Sequence, residues 1–337
     1  MNIYDIAEQC GVSIATVSRV LNNNKNVSAA TRAKIQAVID AAGYTPSALA
    51  RNLGNGGQPV ASAPALTGVV GVLCPSMQDP YQAELLATLE AGLQRRNHSV
   101  LLRSDVETPE QEQTALQELL AAGVAAVLYL CPLHYEQTVP TPIATAAAQV
   151  PVILVEGKVD IPGVYNVTSD RSNAAAELVE LLMRRQRRRI LFLYHRMSHG
   201  CQQTLEGFKT AYAKAGVPMD EQLIVRVDNR LEDVNACIKR LLVNRVTFDA
   251  VIGAEDLLAL GAHKSLGRTG LNMPVIGFGN SLVARCATPE LTSVDCDATG
   301  LCKAAVAVLD DLQNGKEAPQ STLLPTKLVE RDTFRNV

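Results

Sequence analysis

The chain has 337 residues, enough for two or three domains that each bury a core. Its hydrophobic content of 47% is ordinary, tryptophan is absent, and no stretch is both long and apolar enough to span a bilayer, which excludes a membrane-spanning segment. The net charge of −3 argues against nucleic acid for the chain taken whole, yet the charge is unevenly laid out. Residues 1–58 hold five basic against three acidic residues, a balance of +2, and the remainder holds 26 against 31, a balance of −5. A mildly basic head on an acidic body fits a DNA-binding module joined to something else. Asp5 and Glu8 stand at the N-terminus with no basic start before an apolar run, so no secretory signal is read and a cytoplasmic protein is expected.

The first stretch, IYDIAEQCGVSIATVSRVL from Ile3 to Leu21, predicts two short helices meeting at an abrupt turn. Ile3, Ile6 and Ala7 recur at helical spacing, Cys10-Gly11 stops the first helix through a left-handed glycine, and Ser13 caps the second. Val17, Val20 and Leu21 form the buried stripe, which leaves Ile14, Ala15, Thr16, Ser18 and Arg19 mostly facing outward. A small, hydroxylated face ending in one arginine suits a helix lying flush in a major groove. The polar run Asn22–Asn26 is a loop, Ser28 caps a third helix with Ile35, Val38, Ile39 and Ala42 buried, and Gly43 ends it. The run Ala48–Leu53 is too short to hold a helix unaided, and the Gly/Pro-rich segment that follows marks a linker.

From Gly68 the pattern alternates. Strands are predicted at 68–74, 99–104, 125–130, 152–155, 190–194, 223–227, 250–253 and 274–278, with a short segment at 291–294 and two terminal strands. Helices are predicted at 81–95, 110–122, 143–149, 171–184, 203–215, 231–243, 256–266 and 297–314. Continuous apolar strands between amphipathic helices mean parallel sheets covered on both faces. The strands are too many for one compact sheet, so two lobes are expected, with a ligand in the cleft where the strands' carboxyl ends meet.

These pieces in this order resemble the lactose-repressor/galactose-repressor (LacI/GalR) family of bacterial transcription regulators over essentially the whole chain. The resemblance is carried by D-I-A-x-x-C-G-V-S-x-A-T-V-S-R-V-L-N from Asp5 to Asn22, N-V-S-A-A-T-R from Asn26 and G-Y-T-P-S-A-L-A-R-N-L from Gly43. DLLALG (256–261) and VIGFGN (275–280) resemble blocks of the family's ligand-binding body. The fold implied is a three-helix helix-turn-helix headpiece (1–45), a hinge helix and linker (46–65), and a two-lobed, periplasmic-binding-protein-like effector and dimerisation body (66–337). Within the body the first lobe is expected at about 66–165 plus 294–322 and the second at about 166–293 plus 323–337.

The resemblance also implies roles. Ile14 and Ala15 occupy base-selecting positions and Arg19 a guanine-reading one; Thr16, Ser18, Asn22 and Thr31 are phosphate contacts; Ala50 and Leu53 match minor-groove hinge residues, with Leu53 the wedge. The implied partners are a palindromic double-stranded DNA operator, a small-molecule effector and a second copy in a homodimer, the chain acting as a repressor. No heptad tail follows Phe334 to suggest a tetramer.

The ligand site departs from the family pattern. The arginine expected three residues before the glycine of Leu205–Phe208 is Thr204; the aspartate expected after G-F is Gly279, followed by Asn280. The asparagine before Asp256 is Glu255, and the second aromatic after Asp79-Pro80-Tyr81 is Gln82. An arginine and a carboxylate are what hydrogen-bond a sugar's hydroxyls, and their loss argues against a simple hexose. Beside Tyr81, Thr204 and Asp256, the cleft candidates are Gln82, Asp105, Glu156, Asp170, His195, Arg196, Glu255 and Asn280. Their surplus of carboxylates fits an aminosugar, polyol or other cation-tolerant molecule; His195 and Arg196 would instead supply positive charge for an acidic one.

Other classes find little support. No G-x-G-x-x-G follows the first strand, and neither a Walker A motif nor a G-x-S-x-G elbow is present, so neither an enzyme nor a cofactor is expected. The eight cysteines form no CxxC pair and the five histidines no metal spacing, so no metal is expected. The arginine-rich run 184–189 reads as a solvated helix end. A periplasmic-type small-molecule binder without a DNA role is the alternative, but it requires export and leaves Ile3–Leu53 without a purpose.

Overall fold

The computed structural model describes residues 9–13, 16, 17, 20, 28–42, 68–106, 108–133 and 142–335. The Ile3–Ala7 stripe, Leu21, the Asn22–Asn26 loop, Gly43 and the 46–65 hinge and linker lie outside the described residues, as do the side chains of Ile39 and Ala42.

In the headpiece, Gln9 and Cys10 are helical and Gly11 follows at φ +63°, the left-handed exit that the turn needs. Ser13 caps the next helix by accepting the Thr16 amide at 3.3 Å, with the two hydroxyls 2.9 Å apart, and Val17 and Val20 are buried on it. Ser28 repeats the device on the Thr31 amide at 3.2 Å, starting α1 (Ala29–Ala42), whose Ile35 is fully buried.

The body carries two six-stranded sheets. The first is built from β1 (Val69–Cys74), α2 (Pro80–Gln94), β2 (Ser99–Ser104), α3 (Pro109–Ala121), β3 (Val127–Leu130), α4 (Pro142–Ala147), β4 (Val152–Val155) and β5 (Val164–Ser169). After α5 (Arg171–Arg184) the chain builds the second from β6 (Ile190–Tyr194), α6 (His199–Ala215), a 3₁₀ turn at Glu221–Leu223, β7 (Ile224–Arg226), α7 (Leu231–Val243), β8 (Ala250–Gly253), α8 (Asp256–Gly267), β9 (Val275–Phe278), α9 (Leu282–Cys286) and β10 (Thr292–Asp295). It then returns through α10 (Ala298–Gln313) to β11 (Ser321–Leu324) and crosses once more to β12 (Lys327–Val329) and α11 (Asp332–Arg335).

The strand orders are β2-β1-β3-β4-β5-β11 and β7-β6-β8-β9-β10-β12, parallel throughout except for β12 on β10. β1, β3, β4, β8 and β9 are buried at every residue, as strands covered on both faces must be.

β5 is the strand that periodicity did not predict. Its sequence VYNVTS interleaves polar residues, yet Asn166 is buried because its side chain binds both backbone groups of Val159 and the Gln320 carbonyl. This moves the expected lobe boundaries. β5 pairs β4 on one side and β11 on the other, in register Asn166↔Ser321 to Ser169↔Leu324, so the first sheet keeps the chain through Ser169 and takes β11 through Leu324. The second sheet keeps β10 through Asp295. Boundaries at 165, 293 and 322 would each cut a hydrogen-bonded strand.

The arginine-rich segment is a solvated end, with Arg184, Arg185, Arg188 and Arg189 exposed and Arg187 half-buried, and it also makes specific contacts. The Arg185 guanidinium lies 4.0 Å from the Phe334 ring centre and donates to the Phe334 carbonyl. The Arg188 and Arg189 amides both bind the Asp249 carboxylate. Seven of the eight cysteines are buried and all eight are free thiols.

Candidate functional site

Where the two lobes meet, Asp79 begins the construction. It caps α2, accepting the Tyr81 and Gln82 amides at 2.9 and 3.0 Å, with Pro80 at the first helical position, where a missing amide costs nothing. The cap delivers two side chains toward the second lobe. Tyr81 is buried and its hydroxyl donates to Glu156 Oε1 at 3.0 Å; Gln82 Oε1 accepts the Ser76 amide at 3.0 Å.

Glu156 follows β4 with φ +57°, a left-handed conformation that costs a non-glycine residue energy and is kept here by three partners. Besides Tyr81, Ser169 Oγ donates to the same oxygen at 2.6 Å and Arg171 Nε lies 3.4 Å away. Arg171, from the first turn of α5, also lies over the rings of Tyr81 and Phe278 at 5.4 and 5.9 Å. Gly200 lets α6 start against it: a Cβ there would sit 3.0 Å from Arg171 Nε.

Asp79, Tyr81, Gln82, Glu156, Arg171, Ser198 and Glu255 line a cavity of about 20 Å³, room for about one water molecule. The cleft is therefore shut, and side chains of both lobes shut it. Arg196 donates to the Val106 and Cys131 carbonyls at 3.1 and 3.0 Å, Asn229 Nδ2 reaches Asp79 at 3.4 Å, and Arg285 Nη2 donates to both carboxylate oxygens of Glu84 at 3.0 and 3.1 Å.

Electrostatics follow from this burial. Desolvation raises the Asp79 pKa against the pull of its two amides, and lifts Glu255 to about 8 with help from the Asp79 charge. Asp256 rises to about 6, again through burial, although hydrogen bonds from Ser293 and Ser281 oppose the shift.

Of the residues chosen from sequence, Tyr81, Gln82, Glu156 and Glu255 line the cavity and Arg196 bolts its rim. Six lie elsewhere. Asp105 is exposed, in a surface pocket beside α3. Asp170 caps α5 through the Asn173 amide, and Thr204 is buried, its hydroxyl bound to the Gly200 carbonyl one turn back. Asp256 is closed by Ser281 and Ser293; Asn280 is held by Asp295 and Arg331; His195 faces Asp228 at 3.7 Å.

Sequence reasoning passed over Asp79, Arg171 and Ser198. An aspartate before Pro80 and a serine before α6 are helix-start signals that identify the cleft-facing ends. Arg171, from α5, lines the cavity, whereas Thr204 of α6 bonds its own helix. In the headpiece, Thr16 and Thr31 are described, and both hydroxyls already face the capping serines. Ile14, Ala15, Ser18, Arg19, Asn22, Ala50 and Leu53 lie outside the described residues.

Among the described residues no group of three or more potential ligands could hold a metal ion, and no helix is long and apolar enough to cross a membrane.

Two family models match the chain. Residues 2–47 fit the bacterial regulatory proteins of the lacI family, and residues 67–323 fit the periplasmic binding proteins and sugar-binding domain of the LacI family. An HTH-type transcriptional regulator of Lachnoclostridium phytofermentans is 34% identical over 99% of both chains. Catabolite control protein A of Priestia megaterium is 29% identical over 99% of this chain and 98% of its own. Among solved structures, the lac repressor dimer bound to operator and the anti-inducer ONPF aligns with TM-score 0.71 at 24% identity, covering 99% of this chain and 98% of that one. The transcriptional regulator CelR–cellobiose complex aligns at 0.67 and 23%, covering 99% of each chain. With one family model spanning most of its length, another its head, and a relative above 30% identity matched from end to end, the chain belongs to the lacI family of bacterial regulatory proteins.

Proposed function

We propose that the chain is a sequence-specific repressor that binds a palindromic operator as a homodimer and whose operator affinity is set by a small molecule in the inter-lobe cleft. Residues 1–45 serve as the DNA-reading head, 46–65 as the hinge, and 66–337 as the effector-binding and dimerising body. Ile14, Ala15 and Arg19 read bases, Thr16, Ser18, Asn22 and Thr31 hold phosphates, and Ala50 and Leu53 enter the minor groove. The chain binds its small molecule without turning it over and works in the cytoplasm, where the chromosome is.

The observation that carries this reading is the cleft itself, where polar side chains of both lobes converge and close on one another. A ligand that enters must change those lobe-to-lobe contacts. By reciprocity, any effect of ligand on DNA affinity equals the effect of DNA on ligand affinity.

The test is selection of bound DNA from a random pool with the full chain, repeated with candidate metabolites. A palindromic site whose enrichment changes with one metabolite is expected; enrichment of no palindrome overturns the proposal. Deleting residues 1–58 should abolish operator binding and spare ligand binding.

A further inference from the structure

The cleft holds more carboxylates than cations. Asp79, Glu156 and Glu255 line it and Asp256 lies directly behind, while the cations that bear on them are Arg171 and Arg196. Three of the four acids are answered. Glu156 has Arg171, Ser169 and Tyr81; Asp256 has Ser281 and Ser293; Asp79 takes two helix amides on Oδ1.

Glu255 is not answered. It occupies the cap position of α8 without binding a helix amide, and its Oε2 is sealed from solvent with no hydrogen-bond partner. Nearby, Asp79 Oδ2 has only the long 3.4 Å contact with Asn229 Nδ2, and Asn229 Oδ1 is itself buried and unpartnered. The neighbourhood of Asp79 is thus rich in acceptors that lack donors. Leaving such atoms sealed and unpaired is costly, even though Glu255 as a whole is half-buried and within the field of Arg196 and Arg171.

We propose, building on the reading of this cleft as the effector site, that the effector is an organic cation whose primary ammonium group is held by Glu255 together with Asp79. An ammonium brings three donors and one positive charge, which is what the acceptors around Asp79 lack. An acidic ligand would add to the negative surplus, and Arg196, the residue available to receive it, is spent on two backbone carbonyls. A neutral polyol would bring donors but no compensating charge.

In the empty cleft a proton shared with Asp79 fills the role, since burial raises the pKa of both carboxyls, that of Glu255 to about 8. The groups facing it are Asp79, Arg196, Arg171 and Asp256, with the Cys201 thiol of α6 beside them. Binding then exchanges one cation for another: the carboxyl gives its proton to buffer and the carboxylate pairs with the ligand's ammonium. Affinity therefore rises with pH below about 8. The cavity admits only about one water as it stands, so the body of the ligand enters as the lobes part.

The test uses the full-length chain with D-glucosamine, D-galactosamine, D-glucamine and putrescine, each beside its fully N-acetylated form (for putrescine the N,N′-diacetyl compound), read by thermal shift and calorimetry. At least one amine should stabilise the protein and bind ~10-fold or more tightly than its acetylated form. For D-glucamine or putrescine, affinity should rise several-fold from pH 6 to 7, with proton release visible as a buffer-dependent heat. Glu255→Gln should erase the preference for the amine while the ligand-free Tm stays the same or rises. The inference is overturned if no amine binds, if an acetylated form binds equally well, or if Glu255→Gln keeps the preference. Operator selection on the same preparation separates the two readings: palindrome binding that answers to a neutral metabolite leaves the regulator intact and removes the cationic effector.

Discussion

The Arg196 guanidinium, carried by the loop between β6 and α6, donates to the carbonyl of Cys131 at the end of β3, 3.0 Å away in the other lobe. A second donation, to Val106 at 3.1 Å, ties the same side chain to the chain leaving β2. Hydrogen bonds from a charged donor contribute about 1.5–3 kcal/mol each. Lysine lacks the fork that serves two carbonyls at once. Arg196→Lys should therefore favour the open lobes, measured as a larger radius of gyration in ligand-free solution scattering. An unchanged scattering profile would show that other contacts hold the cleft.

Arg171 and Glu156 form a buried pair, with side chains 7% and 2% exposed. Removing one partner strands the other, a loss on the order of 3–5 kcal/mol. Arg171→Ala should lower the denaturant midpoint accordingly, and adding Glu156→Gln should restore part of it. If the double variant is as unstable as the sum of the singles, the pair is not coupled.

Glu112, on α3, is wholly buried beside the Tyr129 hydroxyl, and desolvation raises its pKa to about 7. The folded state then holds a proton that the unfolded chain releases near its ordinary value. Stability from this group is full below about pH 4.5 and is lost as pH rises through 7. Glu112→Gln should remove that slope and stabilise the protein at pH 8, by on the order of 3 kcal/mol at most. Parallel pH–stability curves for the two proteins between pH 5 and 8 would refute it.

Ser13 and Ser28 each accept the amide three residues on. Alanine at either cap should cost about 1 kcal/mol, a large share for so small a head. Operator affinity should fall with it in a gel-shift titration, while the Tm of the body stays constant.

Gly207 lies where α6 meets α5, and a Cβ there would fall on the Ser172 carbonyl. Gly207→Ala must push the helices apart, and these same helices carry Gly200 and Arg171. Reduced thermal stability together with weakened ligand binding is expected; stability equal to the parent would place the helices further apart than found here.

Helix starts and apolar runs were legible because they are local. Ser13, Gly11 and Ser28 act on amides within one turn, and strands such as VLYL and VILV announce burial by composition alone. β5 was not legible, since its polar residues are buried by partners as distant as Gln320 and Ser321. The same limit governed the cleft. By itself the sequence determined the helix-turn-helix head, the alternating body and a list of polar candidates. Which of those candidates meet, that Arg171 lines the cavity while Thr204 turns to its own helix, and that the Oε2 atom of Glu255 is sealed without a partner were decided only by the tertiary structure. Hydrogen-bond satisfaction depends on what folds opposite a side chain, and those neighbours lie tens to hundreds of residues away.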